Sequence, residues 1–188
     1  MRTTAMMWRA IGILTLTAGI TACSDTTMVK SDLGIAGAPA WVNQGSNTLK
    51  DKNGRLFHGV GLAPNLNDLS LQISTADDRA RAEVAHILSS YMDVVANDYL
   101  ANNGSSDSNA QAVSRQITSL SKVNLTGVKI IGHWHDPKTG VVYALAELDM
   151  NQVKATLQDV EQMNQDLKRY ITTNGDNIFD KVVMQESK

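Results

Sequence analysis

Two hydrophobic periods alternate along the chain after residue 39. From Arg55 to Ala63 the period is two. Leu56, His58, Val60 and Leu62 fall on one face, and Phe57, Gly59, Gly61 and Ala63 on the other, which predicts a strand. Ala80, Val84, Ile87, Leu88, Tyr91, Val95 and Tyr99 then recur at helical spacing, so a long helix turns one stripe toward a core. Thr75 reads as its N-cap, with Asp77 and Asp78 in the first turn where the helix dipole favours acids. The polar run Asn102–Asn109 ends it, and Val113, Ile117 and Leu120 mark a shorter helix. Residues Gly127–Asp136 and Val141–Asp149 return to alternation. Between them, Asp136-Pro137-Lys138-Thr139-Gly140 supplies a proline at the second turn position and a glycine able to turn left-handed, which predicts an antiparallel hairpin. From Met150 the spacing is helical again, through Val153, Leu157, Val160, Leu167 and Ile171, with Asn164 interrupting the stripe. Asn174-Gly175-Asp176 is expected to break that helix, leaving Ile178, Phe179, Val182 and Val183 for a last short one.

The element order is therefore β-α-α-β-β-α, an α+β fold with a small antiparallel sheet of about three strands packed on helices. Gly59, Gly61 and Ala63 match Ala144 and Ala146 in size. Small residues in strands let another backbone approach closely, so the first and last strands should lie side by side with the long helix crossing them. Gly59-Val60-Gly61 is a weak nucleotide-loop signal, since no third glycine and no immediate helix follow.

Before residue 40 neither period holds. Met1-Arg2 and Arg9 precede an uncharged, mostly apolar run from Ala10 to Ala22, and no acid occurs before Asp25. That basic, apolar, small-residue order is a secretory signal, too short to span a bilayer, which takes roughly 20 apolar residues. It ends in Ile20-Thr21-Ala22-Cys23, and Cys23 is the only cysteine in the chain. The four residues resemble the bacterial lipobox. The resemblance implies cleavage before Cys23, diacylglycerol on its sulfur, and an acyl chain such as palmitate on the new amino terminus. Lasting attachment takes more than one chain, a condition such a cysteine meets. The plainer alternative is an ordinary secretory signal with Cys23 a spare thiol. By the sorting rule of enteric-type bacteria, Ser24 rather than aspartate favours the outer membrane, with its periplasmic leaflet the default. Residues 1–22 thus read as a lipoprotein signal peptide, 23–39 as a flexible tether of up to roughly 50 Å, and 40–188 as one α+β domain.

Charge narrows the partners. Losing Arg2 and Arg9 with residues 1–22 leaves 15 basic against 19 acidic residues, a net charge of −4. A mildly acidic, aromatic-poor domain has no electrostatic footprint for nucleic acid. A lone cysteine excludes an internal disulfide. The triplets beginning at Asn103 and Asn124 match a glycosylation pattern that carries no meaning in a bacterial chain.

In order, Pro39-Ala40-Trp41-Val42, Gly59-Val60-Gly61-Leu62-Ala63, the helix from Ala76, Gly127-Val128, Trp134-His135-Asp136, Gly140 and Tyr143-Ala144-Leu145-Ala146 resemble the LPP-twenty family of small bacterial lipoproteins. That family includes flagellar outer-membrane proteins of FlgP type. The likeness covers roughly Pro39 to Asp149 and carries no catalytic motif. It implies a non-enzymatic envelope lipoprotein, sometimes part of ring-like assemblies.

The best candidate for site chemistry is His133-Trp134-His135. Strict alternation places both imidazoles on one face with Lys129 and Ile131, opposite Trp134, Val128 and Ile130. Two histidines on a strand can begin a zinc or copper site if His58 or Asp136 supplies a third ligand. Lys129 beside them would repel a cation, and exposed histidines on a wet sheet face need no metal. The expectation is no metal, no cofactor, no small-molecule substrate and no catalytic residue. No Gly-x-Ser-x-Gly occurs, Cys23 is taken by lipid, and His86 stands alone on a helix. Three functions remain: a structural or assembly lipoprotein working through protein contacts, with a homo-oligomer and a flagellar setting as open options; a tethered regulator of an envelope enzyme such as a peptidoglycan synthase; or a metal-handling protein.

Overall fold

The computed structural model describes residues 32–45, 55–103, 106–161 and 163–186. A short helix α1 (Ala40–Asn43) precedes strand β1 (Leu56–Ala63). Helices α2 (Leu69–Asn103) and α3 (Asp107–Leu125) follow, then the hairpin β2 (Lys129–His135) and β3 (Val142–Asp149). Helix α4 (Met150–Ala155), a 3-10 turn (Thr156–Gln158) and α5 (Gln165–Glu186) complete the chain. The fold is α+β in the order the periodicities predict.

Strand β3 lies in the middle of the sheet, antiparallel to both neighbours. Its register sets Ala146 opposite Gly59 and Ala144 opposite Gly61, and α2 packs across this strip of small residues. A Cβ on Gly59 would sit 2.5 Å from the Ala80 carbonyl oxygen, and one on Gly61 would overlap the Ala80 nitrogen and the Ala76 carbonyl oxygen. The glycines are there because the helix backbone fills their side-chain space. Ala76, Ala80, Val84 and Leu88 of α2 join Phe57, Ala144, Ala146 and Leu148 of the sheet in one buried cluster. The cluster continues into Val113, Ile117 and Leu120 of α3 and Leu167, Ile171 and Phe179 of α5. Each large aliphatic side chain so buried contributes about 1.5–3 kcal/mol. On the other face of the sheet Tyr143 and Leu145 are also buried.

Three boundaries differ from the sequence reading. Helix α2 begins six residues before Thr75. Asp68 caps it, its side chain accepting from the Leu71 amide at 3.0 Å and its carbonyl from Gln72 at 2.9 Å. Thr75 is inside the helix, where its hydroxyl donates to the Leu71 carbonyl at 2.7 Å. The second difference is the break after α4. The segment read as one helix with Asn164 interrupting its stripe is two helices, and Asn164 stands directly before the second. It accepts from Asp166 and Lys168 and donates its own amide to Gln116 of α3. The third is Gly175, which breaks nothing. It lies mid-helix in α5, where its missing side chain admits Tyr91, whose hydroxyl donates to the Gly175 carbonyl at 3.1 Å.

Order also begins earlier than Pro39. Leu33 donates its amide to the Asn43 carbonyl, and Ile35 and the Asn43 side chain exchange two hydrogen bonds. Residues 33–43 are thus one folded unit. The proposed signal peptide and residues 23–31 of the expected tether lie outside the described residues.

Candidate functional site

Cys23, the expected lipid attachment point, lies outside the described residues, so the geometry bears on the histidines instead. The pairing of β2 with β3 shifts between Ile130 and Gly132: Ile130 faces Ala146, but Gly132 faces Leu145. Ile131 is the extra residue of a bulge, which reverses the alternation beyond it. Lys129 stays on the outer face opposite Glu147, whereas His133 and His135 stand opposite Ala144 and Val142 on the α2 side. The imidazoles therefore do not share a face with Lys129, as strict alternation required, and Trp134 pairs with Tyr143 on the outer face, ring centroids 5.6 Å apart.

His133 Nε2 lies 2.5 Å from Asp77 Oδ1 of α2, with the His133 side chain 41% exposed and Asp77 18%. The bond ties the edge strand to the helix. Neither expected third ligand reaches it. His58 sits on β1, separated from β2 by β3 and pointing to the opposite face, where its Nε2 meets Glu147 Oε2 at 3.0 Å. Asp136 is committed to the hairpin turn. Its carboxylate accepts from the Lys138 amide at 2.9 Å and the Thr139 hydroxyl at 2.5 Å. The Thr139 bond foremost, then the Lys138 amide, holds this carboxyl below the ordinary aspartate range. Among the described residues no group of three His, Cys, Asp or Glu side chains is placed to hold a metal ion.

Among the described residues, three grooves open on the helical side; the largest, of about 520 Å³, runs along α3 over Arg115, Ser119, Lys122 and Val160, and two others adjoin α2. One, of about 410 Å³, runs between α2 and α3 over Ala96, Leu100, Val113 and Ile117. The other, of about 250 Å³, lies at the far end of α2 beside Tyr99 and Tyr170, whose rings meet edge to face at 5.4 Å. Burial first, then the bond it donates to Asp98, pushes the Tyr170 hydroxyl pKa up. None of these grooves is lined by a histidine, and His86 points to solvent from α2.

Periodicity did not expose the polar connections that hold elements together. Arg55, just before β1, grips Asp180 of α5 through two hydrogen bonds of 2.7 and 2.8 Å and approaches Asp176, which also pairs with Lys154 of α4. Gln72, 3% exposed, donates to the carbonyls of Ala63 and Gly140, stapling the amino end of α2 to β1 and the hairpin. These partners are 125, 9 and 68 residues apart, and no local pattern announces such pairs. Among the described residues no helix is long and apolar enough to cross a membrane. No protein-family model and no curated protein matches this chain.

Proposed function

We propose that this is an outer-membrane lipoprotein, held by lipid on Cys23, whose α+β domain works through protein contacts in the cell envelope rather than by catalysis. The observation that carries the reading is the position of the only cysteine, directly after a basic, then apolar, then small-residue leader in Ile20-Thr21-Ala22-Cys23. The motifs shared with the LPP-twenty family, Tyr143-Ala144-Leu145-Ala146 above all, support a structural or assembly role and make a flagellar context worth testing. Their places in the fold are consistent with that. Gly59, Gly61, Ala144 and Ala146 serve the packing of α2 on the sheet, and Asp136 and Gly140 serve the hairpin turn.

Lipidation is tested in cells. Globomycin, which blocks the lipoprotein signal peptidase, should make the precursor accumulate, and Cys23→Ser should abolish acylation and outer-membrane fractionation. Normal maturation under the drug overturns the reading. Partner and context are tested by native mass spectrometry and electron microscopy of the protein in detergent, where rings favour the assembly role. Co-purification of a peptidoglycan synthase would favour the regulator instead. With residues 33–43 hydrogen-bonded together, nine residue steps separate Cys23 from Asp32, a stretch of about 30 Å when extended.

A further inference from the structure

The connection between β1 and α2, together with the first turn of that helix, departs from the usual chemistry of turns. Every residue from Pro64 to Leu71 is exposed, and turns of this kind are normally polar. Here leucines occupy three of those eight positions, with Leu66 38%, Leu69 61% and Leu71 54% exposed, and Leu62 at the end of β1 is 43% exposed. Exposed leucines scattered singly are ordinary. Four within ten residues at one end of the molecule are not.

Three backbone amides at this end are paired within the segment. Asn67, at a left-handed φ of 58°, turns the chain. Its amide donates to the Asn65 side chain, the Leu71 amide to the Asp68 side chain and the Gln72 amide to the Asp68 carbonyl. Gln72 staples the segment to the hairpin from beneath. Backbone donors that are already paired lower the cost of leaving water, a cost that otherwise excludes irregular chain from lipid. The exposed charged residues beside the leucines are Asp68 in the turn and Arg79, which donates to the Leu62 carbonyl, one of each sign. Electrostatic attraction is not what this end offers. Aliphatic surface is.

We propose that this end is a membrane-docking tip, whose leucines insert into the interfacial layer of the bilayer that carries the chain. The inference rests on the Cys23 reading. Nine residue steps from Cys23 to Asp32 hold the start of the hydrogen-bonded 33–43 unit within about 30 Å of the anchor. Tethering at that length raises the effective concentration of lipid, so insertion too weak to recruit a free protein becomes populated. Docking would hold the domain in one orientation and present a defined side to protein partners.

The test uses the full chain, purified with its own anchor and reconstituted in phosphatidylethanolamine–phosphatidylglycerol vesicles containing brominated acyl chains. An environment-sensitive dye is placed at Leu69→Cys, or as a control at Val94→Cys, an exposed apolar position far along α2 (43% exposed). The expected result is blue-shifted, bromine-quenched emission at position 69 and water-like, unquenched emission at 94, with quenching at 69 lost when Leu66 and Leu71 are both changed to Asp. Circular dichroism confirms that this variant is folded. Water-like emission at 69 in protein that floats with the vesicles overturns docking while leaving the anchor intact. Equal quenching at both positions means non-specific partition and also overturns it, as does dye–dye contact at position 69 without lipid quenching, which assigns the leucines to a second copy. Failure of the anchor is read separately, as an unmodified Cys23 thiol by mass and no flotation.

Discussion

At the scale of single residues, glycines separate what the fold requires from what it tolerates. Gly61 faces α2 backbone where a Cβ would stand, whereas Gly132, in the same sheet, has nothing within 4 Å of its Cβ position. Gly61→Ala is therefore expected to cost about 2–3 kcal/mol, the upper range for overpacking. That corresponds to a fall in thermal midpoint of roughly 4–12 °C for a chain of this size. Gly132→Ala should be neutral within about 0.5 kcal/mol. A midpoint unchanged by Gly61→Ala would refute the close helix–sheet approach. Gly175 tests a subtler balance. In an exposed helix Gly→Ala gains about 1 kcal/mol, but here the new methyl would lie 2.9 Å from the Tyr91 hydroxyl oxygen. Tyr91 is fully buried and cannot swing away. Gly175→Ala should destabilise the wild-type protein and be less harmful in a Tyr91→Phe background. Denaturant titration of the double-mutant cycle measures that coupling.

Between elements, the decisive contacts are polar and distant in sequence. The two hydrogen bonds from Arg55 to Asp180 place the end of α5 against the start of β1, next to the aromatic group of Phe57, Tyr91 and Phe179, whose rings lie 4.9–6.4 Å apart. The Arg55 bond, as the largest cause, lowers the Asp180 carboxyl below its ordinary value. A depressed carboxyl stabilises the fold above its unfolded pKa, and that contribution is lost as pH falls through the folded one. Stability from this pair should thus be full above about pH 4 and decline below it. Asp180→Asn should make the acid limb of a stability–pH curve shallower without changing its shape above pH 5. An equally steep limb would show that other carboxylates dominate. The bulge at Ile131 matters at the same scale. One extra residue moves both histidines from the Lys129 face to the α2 face, where His133 meets Asp77. With no third ligand in place among the described residues, zinc added to dialysed protein should leave the thermal midpoint unchanged. A rise would show that a site assembles around His133 and His135.

For the whole molecule, α2 is the organising member. Its 35 residues span about 52 Å, nearly twice the length of an eight-residue strand. The sheet covers only part of it, and the rest is packed by α3 and α5. The proposed anchor and the proposed leucine tip belong to this scale, because both concern how the domain sits on a surface. Their tests are independent: Cys23→Ser removes the attachment, and changing Leu66 and Leu71 removes only the orientation.

Local pattern was sufficient for the element types, their order and the hairpin, because alternation and helical spacing are properties of neighbouring residues. The small residues of β1 and β3 even foretold the crossing of α2, since Gly59, Gly61, Ala144 and Ala146 leave a strip only a backbone can fill. The proposed leader and the proposed role of Cys23 likewise rest on residues in a row. What the sequence left open depends on partners far away. Asn164 looked like a flaw in one helix until Gln116 took its amide. Asn174-Gly175 looked like a stop until Tyr91 occupied the gap. The face of His133 turned on a single bulged residue. In each case a contact between residues distant in sequence, worth about a kcal/mol, bears on the arrangement adopted. Only the tertiary structure supplies that contact.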